Sequence, residues 1–209
     1  NFVLSGFAIM TMLRGYGGIM EDLYLERESA EKLCDLIFEF ENEVIKQAPK
    51  YGFSAVGLAD DWGTQSSLMI NPKLWREMFK PRYKKQIALA HSLGLYVYMH
   101  SCGYIFDIIE DLIEIGLDIL NPGQPDINNV AEMGRRFGGR ICFSCPPSYQ
   151  GAAVSGDREA LVSQIRQYKQ CLSKNGGLIG IIPEDSAPLG ISKEMFELME
   201  LTFNEELST

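Results

Sequence analysis

Short apolar runs alternate with longer helical patterns along this 209-residue chain, and that alternation restricts the fold more than any other feature. The runs are Phe2-Val3-Leu4, Ala55-Val56-Gly57-Leu58, Leu95-Tyr96-Val97-Tyr98-Met99, Asp118-Ile119-Leu120, Arg140-Ile141-Cys142-Phe143 and Gly177 to Ile182. Strands apolar on both faces must be covered on both, and helices between them imply right-handed βαβ units around a parallel sheet. The helical stretches carry their own signals. A region from Glu21 to about Lys50 places Leu33, Ile37, Phe40, Val44 and Ile45 at helical spacing. Asn71-Pro72 supplies a cap followed by an N1 proline, and Pro81 interrupts the helix that runs on to Leu93-Gly94. Further helices are predicted over Ile105 to Ile115, Ile127 to Arg136 and Arg158 to Leu172. Ser192 caps a last helix with Met195, Leu198, Met199 and Phe203 on its apolar face.

Six such units fit either an open doubly wound sheet or three-quarters of a barrel. No Gly-x-Gly-x-x-Gly follows any strand, which removes the main sign of a dinucleotide fold. The reactive residues gather just after strand ends, as at the active face of barrels. With 46% hydrophobic residues, residues 1–209 suffice for one domain with a real core. The net charge of −9 opposes nucleic-acid binding, which depends on neutralising phosphates. No apolar run approaches the roughly 18–20 residues of a membrane span, so no membrane partner is expected. The opening Asn1-Phe2-Val3-Leu4-Ser5-Gly6 has neither an initiator Met nor the pattern of an export signal, and reads as a strand entered in mid-course. Cys34, Cys102, Cys142, Cys145 and Cys171 are odd in number and irregularly spaced, as expected of free thiols or metal ligands in a cytoplasmic protein.

His100-Ser101-Cys102 is the sharpest chemical feature. Residues i and i+2 of an extended segment point to the same side, so imidazole and thiolate can converge on one ion. Nitrogen plus thiolate suits Zn²⁺, and a further ligand must come from elsewhere in the chain. Cys145, after the fifth strand, and Glu184 or Asp185, after the sixth, are the candidates. Equally, the pair can be a satisfied histidine beside an inert thiol, Cys145 a packed small residue, and the two acids a solvated turn. Asp60-Asp61-Trp62-Gly63 follows the second strand; its acids can position a substrate, move a proton or cap the next turn. Asn121 and Gln124, after the fourth strand, are candidates to line a pocket or to serve the loop itself.

In order along the chain, Gly57-Leu58-Ala59-Asp60-Asp61-Trp62-Gly63, Asn71-Pro72-Lys73-Leu74-Trp75, Lys80-Pro81-Arg82-Tyr83, Tyr98-Met99-His100-Ser101-Cys102-Gly103, Gly116-Leu117-Asp118-Ile119-Leu120-Asn121 and Phe137-Gly138-Gly139-Arg140 resemble the uroporphyrinogen decarboxylase superfamily. The resemblance implies a (β/α)8 TIM barrel, of which this chain is the C-terminal three-quarters, lacking the first two strands.

Two chemistries occur in that superfamily. True uroporphyrinogen decarboxylases, which act in tetrapyrrole biosynthesis, carry an arginine-rich N-terminal motif that this sequence does not contain. They also place a histidine where alignment on Pro188 puts Glu184. The corrinoid methyltransferases use a His-x-Cys pair and a later Cys as zinc ligands. His100 and Cys102 match the pair, and Glu184 stands in place of the later Cys. The resemblance therefore implies a zinc-dependent methyltransferase that moves a methyl group between a small molecule and the cobalamin of a separate corrinoid protein. His100, Cys102 and Glu184 would be the metal ligands and Asp60 and Asp61 catalytic. Trp62, Asn121, Gln124, Cys145 and Asp185 would bind substrate, and a homodimer is compatible with this reading. A carboxylate in place of a thiolate sharpens zinc as a Lewis acid and leaves open whether the methyl partner is a thiol. The competing readings are a metal-free decarboxylase and a non-catalytic barrel-derived binding protein.

Overall fold

The computed structural model describes residues 3–182 and 189–206. Six strands form one sheet: β1 (Val3–Leu4), β2 (Ala55–Ala59), β3 (Tyr96–Ser101), β4 (Ile119–Pro122), β5 (Cys142–Cys145) and β6 (Leu178–Gly180). All neighbours pair in parallel, and their spatial order is their sequence order. That order decides between the two architectures left open by the sequence. A doubly wound sheet reverses its strand order at a switch point, whereas a barrel lays each strand beside the last. The fold is α/β, with six consecutive strands of a (β/α)8 barrel.

The helices that cover the sheet are α1 (Gly6–Arg14), α2 (Tyr16–Leu25), α3 (Arg27–Ile45), α4 (Pro72–Met78), α5 (Lys80–Ser92), α6 (Phe106–Glu114), α7 (Val130–Phe137), α8 (Ala152–Ser155), α9 (Arg158–Leu172) and α10 (Lys193–Asn204). Local sequence accounts for most of their ends. Asn71 accepts the Lys73 N–H at 2.8 Å to cap α4, Asp157 caps α9 at Ala160 N, and Ser192 caps α10 at Met195 N. Pro81 sits in the first turn of α5, so the interruption it foreshadows falls at Phe79.

Among the elements that differ from expectation are α1 and α3. α1 was not foreseen, because Ser5 makes no side-chain cap bond and the helix has no cap of its own. Its start is held instead by Asp60, which accepts Phe7 N–H at 3.1 Å and Ala8 N–H at 2.8 Å from β2's far end. In α3 the buried stripe runs through Ala30, Cys34, Ile37, Phe38, Glu41 and Ile45, while Phe40 is 67% exposed. A buried carboxylate within the stripe explains why apolar spacing misplaced it. Glu41 accepts Ser5 N–H at 2.8 Å and Gln86 Nε2 at 2.7 Å, and burial raises its pKa despite those bonds.

The main core lies between the sheet and α1–α7, with Tyr168 and Leu172 of α9 joining it. A smaller cluster joins Leu161 and Ile165 of α9 to Met195 and Met199 of α10, with Leu198 and Phe203 packed against it. No helix among the described residues is long and apolar enough to cross a membrane.

Candidate metal centre

Strand alternation sorts the two adjacent aspartates. Val56, Leu58 and Asp60 are buried together on the helix-covered side of β2, and Val97, Met99 and Ser101 are their counterparts on β3. Asp61 belongs to the opposite face. So does His100, which pairs with Ala59 on one side and Asn121 on the other. Cys102 follows two residues after His100.

Three donor atoms converge there. His100 Nε2 lies 3.3 Å from Cys102 Sγ and 3.5 Å from Asp61 Oδ1, and all three donors fall within 4.8 Å of one another. Ligands at zinc bond lengths of roughly 2.0–2.3 Å stand about 3.3–3.6 Å apart across a tetrahedral angle. Nitrogen, thiolate sulfur and carboxylate oxygen are all ordinary zinc donors, so the residues fit the ion by type and by spacing.

The surrounding bonds aim each donor. Asn121 Nδ2 donates to the Ser144 carbonyl, which leaves Oδ1 to accept His100 Nδ1–H at 2.5 Å. The imidazole is thereby held with its Nε2 toward Cys102 and Asp61, the usual arrangement of a histidine ligand with its second nitrogen engaged. Asp61 Oδ1 accepts the Cys102 backbone N–H at 2.8 Å. Asp61 and then Cys102 hold the metal-free imidazole as a cation, its pKa raised to about 10. The hydrogen bond from His100 correspondingly lowers the pKa of Asp61. Replacing Asn121 by alanine is expected to weaken zinc binding about 10–100-fold, because the ring loses its tautomer lock. Competition with a chromogenic chelator measures this, and unchanged affinity would contradict the orienting role.

The loops after β2 and β3 cross backbone to backbone. Gly63 N–H donates to the Cys102 carbonyl at 3.1 Å, and Trp62 N–H to Ser101 Oγ at 3.0 Å. A Cβ on Gly103 would stand 2.2 Å from the Gly63 carbonyl, and Gly103 has φ +82°, so only glycine fits. Gly103→Ala is expected to cost about 2–3 kcal/mol and to displace Cys102 from Asp61. Thermal melting and zinc content, measured on the same preparation, should both fall.

The remaining candidates divide by place. Cys102, Asp61 and Gln124 line a cavity of about 500 Å³ with Gln65, Met69 and Tyr149. Gln124 accepts Gly103 N–H and donates to Gln150 Oε1 at 2.7 Å. Asn121 is buried beneath His100 rather than open to the cavity. Asp60 is 1% exposed and engaged with α1 and the Tyr83 hydroxyl. Trp62 is fully buried outside the cavity, stacked on Phe7 at 4.5 Å and donating to Tyr83 Oη at 3.2 Å. Cys145 is buried in β5, where burial pushes its thiol pKa up, and it is not among the converging donors. Glu184 and Asp185 lie outside the described residues. His91, the other histidine, is bonded to Asp118 away from the donors.

Sequence reading missed Asn128, which accepts Ile105 N–H and donates to the Gly103 and Gln124 carbonyls, tying two site loops together. Only tertiary structure brings those groups within its reach. Tyr149 and Gln150 were also missed, since the loop after β5 carries no motif.

Residues 1–143 match the uroporphyrinogen decarboxylase (URO-D) family, and the chain belongs to it. Among solved structures, a methyltransferase from Methanosarcina mazei superposes with a TM-score of 0.74 at 16% identity. The match covers 97% of this chain and 58% of that protein, so the chain spans less than two-thirds of its length. No curated protein matches the sequence.

Proposed function

We propose that this chain is the catalytic part of a zinc-dependent methyltransferase, exchanging a methyl group between a small molecule and a corrinoid carried by a separate protein. The convergence of Asp61, His100 and Cys102, two of which, Asp61 and Cys102, line a cavity, is the observation that carries this reading. The family and the methyltransferase-like fold support it.

Asp61, His100 and Cys102 would supply three ligands, leaving the fourth position to the small molecule, as is usual for catalytic zinc. Bound there, zinc would act as a Lewis acid on the heteroatom that gives up or receives the methyl group. Asn121 keeps the imidazole in the ligating tautomer, and the Cys102 N–H keeps Asp61 turned inward. The Gly63–Gly103 crossing fixes the distance between the two loops that bear the donors. With Asp61 in the set, a carboxylate from Glu184 is not needed to complete three protein ligands. Asp61→Asn should therefore lower zinc content.

In the forward direction the methyl group would leave its heteroatom as a cation equivalent with the bond pair kept on the heteroatom, and a reduced corrinoid would supply the electron pair for the new bond to the methyl group. Zinc-reconstituted protein mixed with free cob(I)alamin and a panel of methyl ethers, thioethers and methylamines provides the test. Zinc-dependent alkylation of the cobalt, lost in Cys102→Ala, is expected with at least one donor. Zinc binding without alkylation across the panel would count against the methyltransferase reading.

A further inference from the structure

The cavity beside the metal donors has a chemistry of its own. Its charged lining is Asp61 and Asp126, and no lysine or arginine contributes to it among the described residues. Asp126 does not free a positive partner, since it accepts from Gln164 Nε2 at 2.6 Å and Tyr168 Oη at 2.8 Å.

The amides are arranged differently. Gln124 is spent on Gly103 N–H and Gln150 Oε1. Gln150 uses only its oxygen in that bond, which leaves its Nε2 as a donor, and Gln150 lines the cavity with Tyr149 and Gln65. Charge counting adds a second constraint, and it rests on the zinc reading above. A divalent ion held by one carboxylate, one thiolate and a neutral imidazole has no net charge. A substrate heteroatom binding as an anion makes the site negative, and a second anionic group on that substrate would find no countercharge among the described lining residues.

We infer that the cavity selects a small substrate uncharged apart from its ligating heteroatom, with a hydrogen-bond acceptor received by Gln150 Nε2. Carboxylated and sulfonated compounds are rejected. This narrows the substrate to amide-, hydroxyl- or ether-bearing compounds and excludes polycarboxylate tetrapyrroles.

Two thiols of the same shape test it: 3-mercaptopropionamide and 3-mercaptopropionate. Each is titrated by calorimetry into zinc-loaded wild-type protein whose metal content has been measured. The amide is expected to bind at least about tenfold more tightly than the carboxylate. Gln150→Ala should erase much of the amide's advantage, and Gln150→Lys should shift preference toward the carboxylate. Zinc-loaded protein that binds the carboxylate as tightly as the amide, or Gln150 variants with unchanged preference, would overturn the inference while sparing the metal site. Protein that takes up no zinc would instead remove the metal reading and this inference with it.

Discussion

Replacing either His100 or Cys102 by alanine is expected to lower zinc affinity on the order of 10³-fold without unfolding the protein. Binding energy of roughly 10–16 kcal/mol shared over the ligands of a structural zinc site is several kcal/mol for each, which sets that scale. Neither side chain belongs to the buried core, and Cys102 lines an open cavity, so the melting temperature of the metal-free variants should stay close to that of the metal-free wild type. Elemental analysis and thermal melting together make the test. Stoichiometric zinc retained in Cys102→Ala would show that the ion sits elsewhere.

Asp60 and Asp61 are neighbours in sequence with opposite duties, and exchanging their roles by mutation should have opposite consequences. Asp60→Ala strands the buried Phe7 N–H and the half-buried Ala8 N–H at the start of α1 together with the Tyr83 hydroxyl. Each orphaned group costs about 1–3 kcal/mol, so a total loss of roughly 3–5 kcal/mol is expected after relaxation. For a domain of this size that corresponds to a fall in Tm of roughly 6–20 °C. Asp61→Asn should barely move the melting temperature and should act on zinc instead. A stable Asp60→Ala protein would contradict the cap assigned to it.

Asp60 also makes a pH statement. Burial raises its pKa to about 7, against the pull of its hydrogen bonds from Tyr83, Ala8 and Phe7. A carboxyl with a folded-state pKa above its unfolded value holds its proton longer in the native state. Its contribution to stability is therefore full below about pH 4 and is lost as pH rises through about 7. Asp60→Asn does not titrate and should flatten the decline of Tm between pH 4 and 7 relative to the wild type. Parallel curves for the two proteins would show that Asp60 is already ionised at the lower end.

The order of elements was legible because strand and helix periodicities differ and are local. The His100 and Cys102 pairing was legible for the same reason, since alternation alone puts them on one side. The division between Asp60 and Asp61 was present in the sequence but unread. Val56 and Leu58 are large and apolar, whereas Ala55, Gly57 and Ala59 are small, so parity already assigns Asp60 to the helix side and Asp61 to the other. Trp62 follows the parity of Asp60 into the aromatic core. By contrast, the cap of α1, the role of Asn128 and the Gly63–Gly103 crossing depend on contacts across 20 to 50 residues. No local pattern encodes them.

Zinc K-edge X-ray absorption of the wild-type protein tests the central claim most directly. The account expects a first shell of one sulfur at about 2.3 Å with nitrogen and oxygen at about 2.0–2.1 Å, and outer-shell scattering from one imidazole. In Asp61→Asn an oxygen should be lost or lengthened while the sulfur stays. A shell with two sulfurs, no imidazole, or a spectrum indifferent to Asp61 would contradict the site built from Asp61, His100 and Cys102.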